Sequence, residues 1–231
     1  MPRVLVSRET LQPFGLKWVA NGQSLSRTPP HSSSQLGRVF DKAVAEAAAT
    51  MFGGIQILSP TSATALVPPA ADCVELGEAR VIGGVRPQNF DVCYRPDGIR
   101  FAFDSKTLND AKSVQENYQN MINDLATEAT TVHSRFPYAV VTFMVIIPAT
   151  CLREPQRAAL MGTLERLGRR TAVTNHLHLS EAVSLVVWHP TTGRIDRETP
   201  PPGSILRIEA FSEHVERAYL VRYEGLPPHT V

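Results

Sequence analysis

Residues 90–104 alternate in a way that only a pair of strands explains. Phe90, Val92 and Tyr94 take turns with Asp91, Cys93 and Arg95, and Ile99, Phe101 and Phe103 take turns with Arg100, Ala102 and Asp104. Between them Pro96, Asp97 and Gly98 are turn formers, so the segment predicts a β-hairpin with one apolar face. Upstream, GRVFDKAVAEAAATMFGG carries Val39, Phe40, Val44, Ala47, Ala48 and Met51 at helical spacing and stops at Gly53-Gly54. Downstream, Leu108, Ala111, Val114, Tyr118, Met121, Ile122 and Leu125 form the stripe of a long helix. The run YAVVTFMVIIPA is too short to span a membrane and suits a strand covered on both faces. Strand, helix and buried strand in succession imply a right-handed crossover. Further on, the pattern predicts a helix over 153–169, a buried strand at AVSLVVWHP, a final strand at SILRIEA, and a helix or hairpin at EHVERAYLVRYEG.

Together these elements predict an α/β fold, a mixed central β-sheet flanked by helices. With 231 residues and 43% hydrophobic content the chain can bury one substantial core. The expected division is an N-terminal segment and flexible linker over 1–35, the linker being rich in Pro and Ser, and a single domain over 36–231. A formal net charge of +1 supplies no global basic field, so any contact with nucleic acid has to come from local patches. Arg153, Arg157, Arg166, Arg169 and Arg170 are one such concentration, interleaved with Glu154 and Glu165. Cys73, Cys93 and Cys151 show no CxxC spacing and suit a reducing cytoplasm. Neither a signal peptide nor a membrane span is expected. The glycine pairs at 53–54 and 83–84 belong to no P-loop or dinucleotide fingerprint, so no nucleotide cofactor is expected.

The chemistry concentrates on the hairpin. Residues two apart on a strand share a face, so Asp104 and Lys106 point the same way and Ser105 the other. With the apolar faces aligned, the expected register sets Asp91 opposite Ala102 and diagonal to Asp104, about 7 Å away. Two carboxylates at that separation can share a hard cation such as Mg²⁺, which usually takes one or two protein carboxylates and keeps several waters. A phosphodiester is anionic and repels nucleophiles, so its hydrolysis calls for a cation to neutralise an oxygen and activate water. A neighbouring lysine can orient that water, take its proton if its own pKa is lowered, or offset charge on the phosphorane.

An acid at the start of one strand followed by Asp104-Ser105-Lys106 on the next resembles the signature of the PD-(D/E)XK nuclease superfamily, the restriction-endonuclease-like fold. The likeness spans about residues 36–150: a helix, a meander whose second and third strands carry the motif, a long helix, then a buried strand. Phe90 stands where the motif name has proline, and the literal Pro96-Asp97 pair lies at the hairpin tip, about 20 Å of extended chain from Asp104. The resemblance implies a metal-dependent DNA endonuclease of the restriction or mobile-element defence type that leaves a 5′-phosphate. Asp91, Asp104 and the Ser105 carbonyl would bind Mg²⁺, or Mn²⁺ in its place, and Lys106 would position or activate water. Family members often add a glutamate from the first helix, which makes Glu46 the candidate. On the long helix Lys112, Gln115 and Gln119 belong to an amide-rich face suited to contacting nucleic acid. A homodimer would let two copies cut two strands.

Two other readings stay open: a non-catalytic nucleic-acid-binding or assembly subunit with this fold, and an RNA-directed nuclease effector within a larger complex. A solvated strand face with a surface salt bridge is the plain structural alternative. His176 and His178 would share a face if their segment were a strand, but no third ligand is near in sequence. His133 and Arg135 follow the long helix, where positive charge at its end is favoured.

Overall fold

The unbroken apolar run near residue 145 becomes a strand buried at every position, and in the computed structural model the sheet builds outward from it. The structure describes residues 1–25 and 32–226. Along the chain run Arg8–Ala20 (α1), Ser32–Met51 (α2), Gln56–Leu58 (β1), Cys73–Ile82 (β2), Pro87–Tyr94 (β3) and Phe101–Thr107 (β4). Then follow Ala111–His133 (α3), Val140–Pro148 (β5), Gln156–Leu167 (α4), Ala182–His189 (β6), Arg194–Ile195 (β7) and Ile208–Tyr223 (α5). The strands form one seven-stranded sheet in chain order, β1 to β7. A strand buried on both faces favours parallel neighbours, and β5 has two, β4 and β6, reached through α3 and α4. On the flanks β2, β3 and β4 form an antiparallel meander edged by β1, which runs parallel to β2, and β7 closes the far edge antiparallel to β6. The fold is thus mixed α/β, and its second and third meander strands carry Asp91 and Asp104.

Three expectations need correction. The first concerns residues 1–35, expected to form a separate segment and linker. Residues 1–25 are part of the core, because α1 buries Leu11 and Trp18, and the Trp18 indole N–H donates to the Asn109 carbonyl at 2.8 Å. Residues 26–31 of the expected linker lie outside the described residues, and the next ones open α2. The second concerns SILRIEA, which forms no strand. Leu206 is a buried anchor whose carbonyl accepts from Leu185 N at 2.9 Å, and Ile208 already starts α5. Ile208, Phe211, Val215 and Tyr219 are the buried stripe of that helix, so the apolar residues of the segment mark a helix entry.

The third correction is the register of the motif hairpin. Val92 pairs with Phe103, Cys93 with Ala102 and Tyr94 with Phe101, which leaves Asp91 across from Asp104. A shift of two residues keeps every side chain on its face, so alternation cannot distinguish the two registers. The turn decides it: Arg100 N donates to the Tyr94 carbonyl at 3.0 Å, and Asp97 pairs with Arg100 at the hairpin tip, far from the motif acids.

One distortion shapes everything around the motif. The β2–β3 ladder shifts between Leu76 and Ala79, where Gly77 takes a φ of +127°. Such a bulge bends the strand and increases its twist. Beyond it the hairpin folds over: Arg95, next to the Tyr94–Val74 pair, donates to the Arg80 carbonyl at 2.7 Å. A flat ladder would hold that carbonyl about 20 Å away. Arg95 also clasps buried Glu75 with two bonds of 2.6 Å. The Gly83-Gly84 connection then lies against the last turns of α3, with Gly84 N donating to the Thr131 carbonyl at 2.8 Å. A Cβ on Gly83 would stand 2.3 Å from Thr131 Cγ2 and 2.4 Å from its carbonyl oxygen. Gly83→Ala should therefore lift the hairpin off α3 and lower stability by about 1–3 kcal/mol, read as a reduced urea midpoint with an unchanged slope.

Candidate active site

Asp91 stands where β3 stops pairing with β4. The β3–β4 ladder closes on the pair of Val92 with Phe103, and beyond it the Ser105 N–H turns to the Asp91 carboxylate, donating to Oδ2 at 3.0 Å. The Ser105 hydroxyl reaches the same oxygen at 3.3 Å. A side chain has replaced a backbone partner, so the two strands part at the level of the acids. Into that opening faces α2. Gly37 lets the helix come close, since a Cβ there would sit 3.0 Å from Ser105 Oγ. One turn on, at i+4 on the same face, Asp41 is buried at 4% exposure with its Oδ1 making no hydrogen bond.

Asp41, Asp91 and Asp104 thus reach one cavity of about 760 Å³, which Ser105 and Thr107 also line. Its far wall is the bulge at Gly77 and Glu78 together with residues 59–63. Lys106 lies behind Asp104 on the α3 side. Its ammonium ion-pairs with Asp104 Oδ2 and donates to Glu128 Oε1 of α3 at 2.8 Å. Glu128 is itself buried, and its Oε2 has no hydrogen-bond partner. The lysine is therefore clamped between two carboxylates.

Burial and mutual repulsion dominate the electrostatics. Burial, then the Asp91 charge, pushes the Asp41 carboxyl up to about 8. Burial, then Asp104, lifts Asp91 to about 7. Burial lifts Asp104 to about 6, with Lys106 opposing it and Glu128 adding to it. For Lys106 burial acts against the charged form, but Asp104 and Glu128 outweigh it and hold the pKa above the ordinary lysine value. An ammonium so held is a cation and a hydrogen-bond donor, not a base. The acids lining the cavity offer hard oxygens, the ligand type that suits Mg²⁺ or Mn²⁺. Among the described residues no three His, Cys, Asp or Glu side chains already stand in metal-ligating geometry. The reason is local, since Asp91 is turned to Ser105 and Asp104 to Lys106.

Of the residues picked from the sequence, Asp91, Asp104 and Ser105 come together on the cavity wall and Lys106 joins them through Asp104. Glu46 does not. It lies five residues past Asp41, about 140° round the helix, with a side chain 58% exposed and 3.8 Å from Lys42. Asp41 takes the place expected of Glu46, and the sequence carries a signal for it: with Phe40, Val44 and Ala48 it sits on the stripe that the helix buries. Glu128 carries the same kind of signal, three residues past Leu125 on the apolar stripe of α3. Lys112, Gln115 and Gln119 are exposed on α3 and line no part of the cavity. Lys112 stands 3.9 Å from Glu116, and Gln119 donates to the Tyr118 hydroxyl. His133 is buried, with Nδ1 2.9 Å from the Leu177 carbonyl and Nε2 3.3 Å from Glu181, and Arg135 donates to the Ile82 carbonyl. His176 and His178 stack on each other at 5.6 Å in a turn region. No protein-family profile, curated protein sequence or solved structure matches this chain. No helix among the described residues is long and apolar enough to cross a membrane.

These raised carboxyl pKa values make a stability prediction. Each of the three acids binds its proton more tightly folded than unfolded, so the unfolded chain releases protons first as pH rises. Stability in EDTA should be highest near pH 4 and fall as pH climbs through about 6, 7 and 8, the values for Asp104, Asp91 and Asp41. Asp41→Asn should remove the last part of that fall and stabilise the metal-free protein at pH 8.5 by on the order of 2 kcal/mol. Calorimetric melting of both proteins across this range would check it.

Proposed function

We propose that this chain is a Mg²⁺-dependent phosphodiesterase that hydrolyses DNA, with Mn²⁺ able to replace Mg²⁺. The observation that carries the reading is the convergence of Asp41, Asp91 and Asp104 from one helix and two strands on a single cavity, with Asp41 Oδ1 buried and unpartnered. Three carboxylates with so little compensation are costly to bury, and a bound cation relieves that cost. The order of elements around Asp91 and Asp104-Ser105-Lys106 supports the resemblance to PD-(D/E)XK nucleases and a restriction-endonuclease-like sheet.

Asp91, Asp104 and Asp41 would hold the cation, with the Ser105 carbonyl as a further oxygen ligand. The chemistry supplied by the bound ion would be neutralisation of the phosphate and a lowered pKa for water. Ser105 fixes the Asp91 carboxylate through its N–H and hydroxyl, both on Oδ2. Lys106, held as an ammonium, orients the attacking water and offsets charge as the phosphorane forms. Glu128 positions Lys106 by accepting a hydrogen bond from its ammonium. Cutting both strands of a duplex would take two such sites, which a homodimer would provide.

The test is cleavage of supercoiled plasmid, linear duplex, single-stranded DNA and RNA with Mg²⁺, Mn²⁺ or EDTA. We expect cutting of DNA that EDTA abolishes. Asp91→Asn, Asp104→Asn, Asp41→Asn and Lys106→Ala should each slow it by on the order of a hundredfold or more, whereas Glu46→Ala should stay within about twofold. Preferential cutting of RNA would reassign the substrate. A folded wild-type protein that cuts nothing, or an Asp104→Asn protein as fast as wild type, would overturn the reading.

In the same assay Glu128→Ala should cost on the order of tenfold, and Glu128→Gln should recover part of it, because the amide oxygen still accepts from Lys106. Equal losses in the two variants would mean that the bond to Lys106 is not what matters.

A further inference from the structure

The cavity has a cationic wall that the proposed chemistry leaves unused. Gly37 and Asp41 face β4, and the residues one step on, Arg38 and Lys42, stand about 100° round the same helix. Both are exposed and both line the cavity that holds the acids. Among the described residues Arg38 makes no hydrogen bond or salt bridge, though its charge acts on the Asp41 carboxyl, and Lys42 has the 3.8 Å contact with Glu46. Across the opening stand Ser59 and Ser62, the Ser62 hydroxyl lying 3.2 Å from Thr64 Oγ1. Glu78 is the one rim carboxylate and stands at the bulge, on the wall away from α2.

This arrangement matches a polyanionic chain. A phosphodiester drawn to the acids has neighbouring phosphates on either side, and those need cations spaced along the rim and not at its floor. An arginine and a lysine at i and i+4 follow one edge of the opening, where the guanidinium can take a phosphate through two N–H groups and the ammonium can take the next. The face of α3 singled out from the sequence offers no such continuity, because Lys112, Gln115 and Gln119 lie outside the cavity.

Resting on the nuclease reading of the site, we propose that Arg38 and Lys42 on α2 are the phosphate-gripping residues that hold the DNA backbone beside the bond to be cut. Ser59 and Ser62 bound the path on its other side. Contact with nucleic acid thus runs along α2 and the 59–63 loop, not along α3.

Salt dependence of binding tests this without relying on cleavage. A fluorescently labelled short duplex and its single strand are titrated with full-length protein in EDTA over a range of NaCl concentrations, for wild type, Arg38→Ala, Lys42→Ala and Lys112→Ala, with circular dichroism checking each fold. Removing one phosphate-binding cation should flatten the plot of log K against log[NaCl] by about 0.9 for duplex and about 0.7 for single strand. We expect that change for Arg38→Ala and for Lys42→Ala, and none for Lys112→Ala. Unchanged slopes in both α2 variants, an equal change in Lys112→Ala, or no binding by wild type would overturn the proposal. Cleavage of plasmid by wild type with unmoved slopes would leave the nuclease reading standing and remove this surface. Slopes that move without any Mg²⁺-dependent cutting would do the reverse.

Discussion

At Asp91 the two motif strands give up backbone pairing for a side-chain hydrogen bond, and the candidate site depends on that exchange. Had the ladder continued, Ser105 would be tied to β3 through main-chain groups and the acids would lie flat on a closed sheet. Because the Asp91 carboxylate accepts from Ser105 N instead, the strands part and a helix from one face can reach acids from the other. The bulge at Gly77 acts in the same direction. It folds the β2–β3 hairpin over α3, so the opening is walled on one side by β2 while Glu128 stands over Lys106 on the other.

The charges in this opening differ in kind from those that merely hold the fold together. At the N-terminal end of β6, Glu181 is fully buried and has two guanidinium groups within ion-pair distance. Arg170 lies at 3.0 Å, Arg222 at 2.8 Å and His133 at 3.3 Å, and Val141 N donates to it. Arg170 spends its remaining donors on the carbonyls of Pro137, Val173, Asn175 and His176, which fastens the 171–180 turn region to the domain. Opposite charges gathered so closely round one carboxylate hold structure together. The three aspartates at the cavity have one buried ammonium among them, shared with Glu128, and one of their oxygens has no partner at all. Such a deficit lowers the stability of the fold, and a site for a cation and an anionic substrate gives it a purpose.

The arginine-rich segment shows how far charge patterns mislead when read alone. Arg157 pairs with Glu154, Arg166 donates to Thr163, Arg169 to the Glu165 carbonyl, and Arg170 is consumed inside. A pattern that suggests a basic surface is mostly internal bonding of α4 and the chain that follows it. The two cations that line the cavity, Arg38 and Lys42, sit singly on α2 and form no visible cluster in the sequence.

Local periodicity determined what depends on one segment at a time. It set which strands carry Asp91, Asp104 and Lys106, which face each side chain takes, that residues 140–148 are buried on both sides, and that a long helix joins the two parallel strands. It could not choose between hairpin registers two residues apart, since both keep Phe90, Val92 and Tyr94 on the apolar face, and the closing bond at Arg100 made that choice. Nor could it say which acid of α2 meets the site. Asp41 and Glu46 are both carboxylates on one helix, and the distinction between them is the angle at which α2 crosses β4, fixed by the close approach at Gly37. Glu128 lies 22 residues from the lysine it holds, a contact made because α3 crosses back over the sheet between the two strands it joins. Sequence period decides the face of an element, because that is a property of the backbone helix or pleat. Which faces meet is decided by packing between elements distant in the chain, and the site lies at such a meeting.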